Sequence, residues 1–320
     1  MINGPGSAAI VVDRVPALDE GDALIAPVHV ALCGTDIKLI DGTVHDAVYP
    51  MVPGHEWVGV VESCQHRPDL VGATVVGSNF ITCGMCEHCR AGRPAVCVKL
   101  DEIGFTLPGA MADHLIVPSR NLRVLPDEIS IEDAPLLEPL CVALHAVDRA
   151  GVGADDVVVI GGGPVGLMIA QLCLPIARSV IVIERLESRR AVAAGLGLTA
   201  DARISLETTG SIVFDVTGCA DTFQTALDVV STGGRVILVG YSGDERGEVQ
   251  PALIMLKELD VLGVLSGVGQ LEAAIEACRS GVVRLGPLIS HRFPLERFED
   301  AFDVARDPLS AAMRILVNIR

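Results

Sequence analysis

Four cysteines within one short segment could bind a metal ion together. The segment is CGMCEHCRAGRPAVC, and its thiol groups belong to Cys83, Cys86, Cys89 and Cys97. Structural zinc takes four such thiolates in a tetrahedron, and the glycines and the proline between them are typical of tight turns that direct ligands toward one centre. Because four protein ligands leave no open position, the spacing predicts a structural zinc lobe at 83–97 and places the chemistry elsewhere.

A second set of possible metal ligands lies outside this lobe. Cys33 occurs in CGTD, His55 and Glu56 occur in PGHEW, and Glu138 occurs in LLEPL. A thiolate, an imidazole and a carboxylate match the three protein ligands of catalytic zinc, which keeps a fourth position open for a substrate. Each residue alone is a weak signal, because a single cysteine or histidine more often belongs to a core.

Residues beside these donors could support the chemistry. Asp36, three residues after Cys33, is placed to accept the free N–H of His55 and fix its tautomer. The hydroxyl of Thr35 is suited to passing on a proton. Trp57 follows the ligands directly, and it either walls a substrate pocket or belongs to the core.

A glycine pattern predicts that a dinucleotide binds. The sequence VVVIGGGPVGL places Gly161, Gly163 and Gly166 in a G-x-G-x-x-G pattern after an apolar strand, with Pro164 and Val165 between them. Such glycines allow a tight turn, let the backbone approach a pyrophosphate and let the following helix pack closely on the strand. The N-terminus of that helix offers N–H groups to the phosphates. The alternative is an ordinary turn.

Residues near the ends of later strands bear on which dinucleotide binds and how. Glu184 could accept hydrogen bonds from ribose hydroxyls and would repel a 2′-phosphate, which favours NAD. Arg185 and Arg189 favour NADP, because guanidinium groups can hold that phosphate, unless they form only a solvated helix start. Backbone groups near Val239 and Leu265 are expected to position the carboxamide of the nicotinamide. We expect NAD, with NADP as the less favoured alternative.

Two different patterns of secondary-structure signals along the 320 residues predict two domains. The first 140 residues contain short β-like runs broken by glycine and proline, such as Ala8–Val12 and Ala23–Val30. From about Pro139, strands alternate with helices, which predicts a doubly wound parallel sheet. Its six strands are expected at Val157–Ile160, Val180–Ile183, Ala202–Ile204, Ile212–Val216, Arg235–Val239 and Val261–Leu265.

The tail is predicted to return to the first domain as a strand, a helix and a strand. The predicted domains are a catalytic domain of 1–141 and 286–320 and a dinucleotide-binding domain of 142–285. Because the segment between Ala202 and Ile212 is too short for a crossover helix, this half of the sheet is expected to be trimmed.

Composition excludes several classes of partner. The 24 lysines and arginines face 41 acidic residues, and a net charge of −17 repels nucleic acid and anionic membranes. Val157–Ala177 is uncharged and long enough to span a bilayer, but its glycines and prolines suit a strand, a turn and a helix better. The first residues lack the pattern of a secretion signal, so clustered cysteines are expected to bind metal in a cytoplasmic protein.

The motifs together resemble those of the medium-chain zinc-dependent alcohol dehydrogenases. They occur in the family's order, as CGTD at 33–36, GHEW at 54–57, the cysteine lobe at 83–97, EPL at 138–140 and GGGPVG at 161–166. The resemblance implies an α/β protein with a GroES-like, irregular, β-rich catalytic domain and a Rossmann cofactor domain. It also implies two zinc ions per chain and an alcohol as substrate.

The resemblance also implies roles for particular residues. In the family, the residues that match Cys33 and His55 bind the active zinc, and a glutamate takes the remaining place in the polyol and threonine dehydrogenase branch. Glu138 occupies that place, and Glu56 can also reach the zinc, in exchange with Glu138 or with water. Lys38 stands where the family often has a histidine that completes a proton relay to solvent.

Further segments are similar to one group within that branch. YPMVPGHEW, DEIGF, EPLCVALHAV and LISHRF resemble the 2-deoxy-scyllo-inosamine dehydrogenases of aminoglycoside antibiotic biosynthesis. Those enzymes oxidise a ring hydroxyl of an aminocyclitol to a ketone. Relatives in the wider family are homodimers or homotetramers, which we expect here as well.

Two other functions stay open at this point. A zinc-free reductase of the same superfamily would keep the glycine turn without needing Cys33, His55 and Glu138. A non-catalytic dinucleotide-binding protein would bind the cofactor without reducing it. Metal analysis and the absorbance of the reduced cofactor distinguish these from a zinc dehydrogenase.

Overall fold

The chain forms two compact units in this computed structural model, which describes residues 1–44, 47–205, 207–241, 243, 245–307 and 309–320. One unit comprises Met1–Glu138 with Ile289–Arg320, and the other comprises Pro139–Leu288. The first junction follows residue 138, where the sequence suggested 141, and the second follows residue 288, where it suggested 285.

Short strands dominate the N-terminal part of the first unit. The strands are β1 (Ile2–Gly4), β2 (Ser7–Ala8), β3 (Asp22–Leu32), β4 (Glu56–Cys64), β5 (Thr74–Gly77), β6 (Phe80–Ile81), β7 (Asp101–Glu102), β8 (Leu115–Pro118) and β9 (Leu122–Val124). Helix α1 (Gly34–Asp41) follows β3, and the short helix α2 (Glu87–Arg90) lies among the clustered cysteines.

The second unit alternates helices and strands. Its elements are α3 (Leu137–Ala150, which begins just before the junction), β10 (Asp156–Ile160), α4 (Pro164–Cys173), β11 (Ser179–Ile183), α5 (Glu187–Gly195), β12 (Thr199–Asp201), β13 (Gly210–Asp215), α6 (Thr222–Val229), β14 (Val230–Leu238), α7 (Ala252–Leu256), β15 (Asp260–Gly263) and α8 (Leu271–Arg279). The tail then adds β16 (Ile289–Pro294), α9 (Phe298–Arg306) and β17 (Arg314–Asn318) to the first unit.

The main sheet of the first unit joins the two ends of the chain. Its order is β16-β17-β3-β4-β5-β9, with β8 also paired to β3. β17 is parallel to β16 and antiparallel to β3. Its core contains Ile25, Val30, Trp57, Leu115 and Val317. Burial of each large aliphatic side chain stabilises the fold by about 1.5–3 kcal/mol.

The sheet of the second unit is entirely parallel. Its order is β12-β11-β10-β13-β14-β15, so the strand order reverses beside β10 as in a doubly wound fold. Runs of valine and isoleucine in β10 and β11 suit strands that are buried on both faces. The predicted α/β fold is therefore confirmed, with a β-rich first unit and a Rossmann-type second unit.

Two predicted strands are wrong. The third strand of the parallel sheet is Thr199–Asp201 rather than Ala202–Ile204, because Thr199–Asp201 is the segment that pairs with Ile181–Ile183. The Ala8–Val12 run is a strand only at Ser7–Ala8, since its pairing with β1 ends there and Ile10 to Val12 are exposed. An apolar run forms a strand only where a neighbour accepts its backbone hydrogen bonds.

Two other features bear on the sequence analysis. Between β12 and β13, residues 202–205 and 207–209 contain no helix, and Leu206 lies outside the described residues. Across the described part of the chain, no helix combines the length and apolar character that crossing a bilayer requires.

Candidate active site

Asp36 ties together the two segments that carry the candidate catalytic ligands. Cys33 directly precedes α1, and the side chain of Asp36 accepts a hydrogen bond from its backbone N–H at 2.9 Å. The other carboxylate oxygen accepts one from the N–H of Gly54, beside His55, at 3.2 Å. A buried carboxylate is best satisfied by such donors, so Asp36 fixes both ligand segments at once.

Antiparallel pairing brings the metal donors to one place. β3 ends one residue before Cys33, β4 begins at Glu56, and Ala31 lies opposite Glu56 in the register of the two strands. As a result, the ligand atoms of Cys33, His55 and Glu56 all lie within 4.8 Å of one another. The structure therefore brings together three of the four residues that the sequence offered for the catalytic metal.

Glu138 lies outside that three-residue set, at the start of α3. Burial raises the pKa of its carboxyl to about 7, against the opposing charge of His55. Its charge also acts on Glu56. Glu138 is therefore near enough for its charge to affect the pKa of Glu56, while Glu56 is the carboxylate that lies with Cys33 and His55.

Arg314, from β17, is a buried cation that the sequence analysis did not single out. Its guanidinium lies 2.7 Å from Oε1 of Glu56 and donates to the carbonyl of Leu32 at 3.4 Å. Although burial opposes ionisation of Cys33, the Arg314 charge and a hydrogen bond with His55 hold the pKa of the thiol well below its usual range. The feature of the sequence that could have identified Arg314 is a charged residue at the start of an otherwise apolar strand.

The cluster has the polar atoms that a zinc ion would satisfy. His55 Nδ1 and Glu56 Oε2 are buried without a hydrogen-bond partner among the described residues, while Glu56 Oε1 faces the Arg314 guanidinium at 2.7 Å. Asp36 approaches His55 Nδ1 at 3.7 Å, which is an ion-pair distance rather than a hydrogen bond. Unpaired buried polar atoms are costly, and a cation bound by thiolate, imidazole and carboxylate would remove that cost.

The four clustered cysteines also converge. Their sulfur atoms lie within 4.8 Å of one another, with Cys97 Sγ 3.5 Å from Cys83 Sγ and 3.9 Å from Cys86 Sγ. Sulfurs bound to one zinc with 2.3 Å bonds lie about 3.8 Å apart in a tetrahedron. Hydrogen bonds from backbone N–H groups lower the pKa of Cys86 to about 6, which favours the thiolate that a metal requires. The residues fit a structural zinc.

The glycine turn of the second unit has the geometry of a dinucleotide-binding loop. Gly161 has a φ of 109°, which L side chains rarely adopt. A Cβ at Gly166 would collide with the carbonyl oxygen of Gly161, so the helix approaches the strand too closely for any other residue. Gly163 caps α4, and Pro164 and Val165 begin it. Its N-terminal N–H groups suit a phosphate.

Glu184 is held against that turn. Its two oxygens accept hydrogen bonds from the N–H groups of Gly162 at 2.9 Å and Leu186 at 2.8 Å. A carboxylate has about four acceptor positions, so capacity remains for ribose hydroxyls. Arg189 Nη1 lies 3.8 Å from Glu184 Oε2, while Arg185 is exposed.

The remaining predicted residues fall near these two places. Val239 and Leu265 lie just beyond the carboxyl ends of β14 and β15, at the sheet edge where β10 leads into the glycine turn. Thr35 Oγ1 lies 3.6 Å from Cys33 Sγ, and Lys38 is half-buried on α1. Trp57 is packed in the core of the first unit, which favours the core interpretation of that residue.

Comparison with known proteins gives the family. Residues 19–127 match the family model for the alcohol dehydrogenase GroES-like domain, and residues 164–280 match the one for zinc-binding dehydrogenases. The L-threonine 3-dehydrogenase of Proteus mirabilis (strain HI4320) is 30% identical over 312 residues, which cover 91% of this chain and 91% of the relative.

Two solved structures agree. Alcohol dehydrogenase TADH from Thermus sp. ATN1 is 29% identical, with a TM-score of 0.88 over 99% of this chain and 98% of its own. A protein of Sinorhizobium meliloti 1021, described as a zinc-binding dehydrogenase bound to NADP, is 27% identical, with a TM-score of 0.91 over 99% and 97%. The chain belongs to the zinc-dependent medium-chain alcohol dehydrogenase family, in the branch of the threonine and polyol dehydrogenases, which confirms the resemblance found in its motifs.

Proposed function

We propose that the protein oxidises a secondary alcohol of a polyol, cyclitol or aminocyclitol to a ketone, giving hydride to NAD and releasing a proton. The observation that supports this most directly is the convergence of Cys33, His55 and Glu56 within 4.8 Å, with buried polar atoms that lack partners. These are the donors of a zinc site that keeps a position open for a substrate.

The residues of the first unit divide the work between them. When bound, the zinc would polarise the substrate hydroxyl, and the nicotinamide would accept a hydride from the carbon that bears this hydroxyl. Cys33 and His55 would hold the metal together with Glu56 or Glu138, and Asp36 would orient the ligand segments. The Thr35 hydroxyl, 3.6 Å from Cys33 Sγ, would accept the proton of the alcohol. Lys38, one turn further along α1, would pass it toward solvent only in its neutral amine form, and otherwise the proton would leave through water and the cofactor ribose.

The second unit would bind NAD in preference to NADP. Glu184 is fixed by two backbone N–H groups beside the glycine turn, so its charge would face the ribose hydroxyls and repel a 2′-phosphate. Arg189 lies within ion-pair distance of Glu184, so part of its charge is already balanced. The carboxamide would be positioned by backbone groups near Val239 and Leu265.

Three further proposals concern the substrate, the oligomeric state and the cellular location. The segments similar to 2-deoxy-scyllo-inosamine dehydrogenases make that aminocyclitol the first compound to test, and the threonine dehydrogenase relatives make L-threonine the second. A homodimer or homotetramer would bury the edge of the parallel sheet at β15, beyond which Leu265 is 59% exposed. We place the protein in the cytoplasm, where thiolate zinc sites are not oxidised.

A single substitution tests the proposed zinc chemistry. Cys33→Ser is expected to abolish NAD reduction and to lower the zinc content from two ions per chain to one, because serine is a poor ligand for this metal. The measurements are absorbance at 340 nm across a panel of polyols, cyclitols, aminocyclitols and L-threonine, and zinc by mass spectrometry.

Two further cysteine variants give the controls. Cys278→Ser changes a half-buried cysteine of α8 outside both clusters and should keep two zincs and full turnover. Cys86→Ser should lose thermal stability first, because structural zinc is coupled to folding. Full turnover in Cys33→Ser would contradict the proposal, and one zinc or none in the unaltered protein would favour the zinc-free reductase.

A further inference from the structure

Glu102 is an acidic residue of the first unit that the proposed chemistry does not use. It ends β7, which pairs with β6 directly before the clustered cysteines. Asn79 is buried and donates from Nδ2 to Glu102 Oε1 at 3.4 Å. The backbone carbonyl of Asn79 accepts a hydrogen bond from the N–H of Ile103 at 2.9 Å. The carboxyl group of Glu102 is therefore held in place by a neighbour that carries no charge.

The segment that follows Glu102 packs against the candidate metal ligands. A Cβ at Gly104 would lie 3.1 Å from the carbonyl carbon of Gly54, so the two backbones are in close contact. The ring of Phe105 lies 5.4 Å from the ring of His55, centroid to centroid. The residues directly after Glu102 and Ile103 therefore lie against the segment that carries His55 and Glu56, and the charge of His55 acts on Glu102.

Glu102 has no ion-pair partner among the described residues. Arg314 is paired with Glu56 at 2.7 Å, and none of the lysines or arginines in the described ranges forms an ion pair with Glu102. Burial raises the pKa of Glu102 to about 7 against the opposing charge of His55, and the charges of Glu138 and Cys33 add to the rise. A half-buried carboxylate in such surroundings gains from any positive group that a ligand brings.

We propose that Glu102 determines substrate specificity by binding a positively charged amino group of the substrate, so that the enzyme selects alcohols that also carry an ammonium group. This inference rests on the proposed function and narrows its substrate class to amino alcohols. An ammonium group has three donors and would form a charge-assisted hydrogen bond with the carboxylate. The hydrogen bond from Asn79 orients this carboxylate. A neutral polyol would gain nothing comparable from Glu102.

Glu102→Gln tests this by removing the charge with little change of shape. The substrates are an aminocyclitol and the cyclitol in which a hydroxyl replaces the amino group. We expect the variant to lose about tenfold or more of kcat/KM for the aminocyclitol, through KM, and about twofold or less for the cyclitol. Calorimetric titration of the same two compounds into the zinc-loaded protein without NAD should show the same selective loss of affinity.

Two matched variants separate charge from structure. Glu102→Asp keeps the carboxylate and should keep part of the preference for the aminocyclitol. Glu296→Gln removes the same charge from an exposed residue of the first unit outside both metal sites and should leave the preference unchanged. Melting temperatures of all variants show whether any loss reflects unfolding; selective loss in calorimetry by a folded Glu102→Gln supports the proposal.

The outcomes distinguish this inference from the function on which it rests. If the unaltered enzyme oxidises neutral cyclitols as well as aminocyclitols, or if Glu102→Gln affects both equally, the role of Glu102 is refuted and the dehydrogenase function stands. If no alcohol in the panel is oxidised but the aminocyclitol still binds in a Glu102-dependent way, the dehydrogenase function is refuted and the ammonium site stands.

Discussion

Glu56 and Arg314 balance each other's charge beside the candidate metal site. Glu56 is 0% exposed and Arg314 is 7% exposed, and their charged atoms approach to 2.7 Å. Burial raises the pKa of Glu56 well above its usual range, although the charge of Arg314 opposes the rise. Because each partner compensates a charge that water cannot reach, the loss of one alone should be worse than the loss of both.

Substitution of Arg314 tests this balance. Arg314→Met leaves Glu56 buried and unpaired, and we expect it to destabilise the first unit by about 3–5 kcal/mol. The double variant Glu56→Gln with Arg314→Met should recover part of that loss, because neither member of the pair is left charged without its partner. Thermal unfolding of the two single variants and the double variant at equal zinc loading measures the coupling. Strict additivity of the three changes would show that the pair does not act as a unit.

Residue types alone predicted part of this site. Cys33, His55 and Glu56 stood out because thiolate, imidazole and carboxylate are zinc donors. Arg314 and Glu102 were missed, because a charged residue ordinarily indicates an exposed surface. Their importance depends on burial, which sheet pairing over the length of the chain decides.

At the scale of elements, the turn from β10 into α4 depends on the absence of side chains. Gly161 needs a left-handed backbone, and a side chain at Gly166 would meet the carbonyl oxygen of Gly161, just beyond β10. Gly161 serves the tight turn and Gly166 the close packing of α4, so together they set the position of the helix N-terminus that would meet a pyrophosphate. The same close approach leaves no space for a methyl group.

Two glycine-to-alanine changes provide a matched pair. Gly166→Ala is expected to weaken NAD binding at least about tenfold and to lower stability, because its Cβ meets the carbonyl of Gly161. At Gly195, the last residue of α5, an added Cβ would have no atom within 4 Å. Gly195→Ala should therefore leave the free energy of unfolding unchanged or raise it by up to about 1 kcal/mol. Titration of NAD by fluorescence and thermal unfolding measure the two effects. Tight NAD binding by Gly166→Ala would contradict the proposed role of the turn.

The elements were predictable where local pattern and tertiary pairing agree. Strands β10 and β11 contain the predicted Val157–Ile160 and Val180–Ile183 and differ from them only by one residue at the start. The strand predicted at Ala202–Ile204 was wrong, because a short edge strand carries little apolar pattern and its pairing with β11 decides its position.

At the scale of the whole molecule, the first unit is discontinuous in sequence. β17 lies between β16 and β3. The last strand is therefore an interior strand of a sheet whose strands β3 to β9 come from the N-terminal part of the chain. It also carries Arg314 to Glu56. The tail was predictable as a strand, a helix and a strand, but its central place in the sheet was not, because strand order depends on contacts between distant segments.

Truncation tests how far the first unit depends on its last strand. A chain that ends at residue 313 should fail to form a stable first unit and should lose the zinc bound at Cys33, because β3 loses one of its partners and Glu56 loses Arg314. Removal of Arg320 alone breaks contacts with Glu62 and Asp113 at the surface and should be tolerated. Solubility, circular dichroism and zinc content measure both. A soluble, two-zinc protein that ends at residue 313 would contradict this dependence.

The position of β17 also orders events during synthesis. A nascent chain can assemble residues 139–288 as soon as they leave the ribosome, since this unit is continuous in sequence. The first unit must wait, with β3 lacking one of its neighbours, until β17 has been translated. The segments that carry Cys33 and His55 are therefore made well before the strand that completes the arrangement around them.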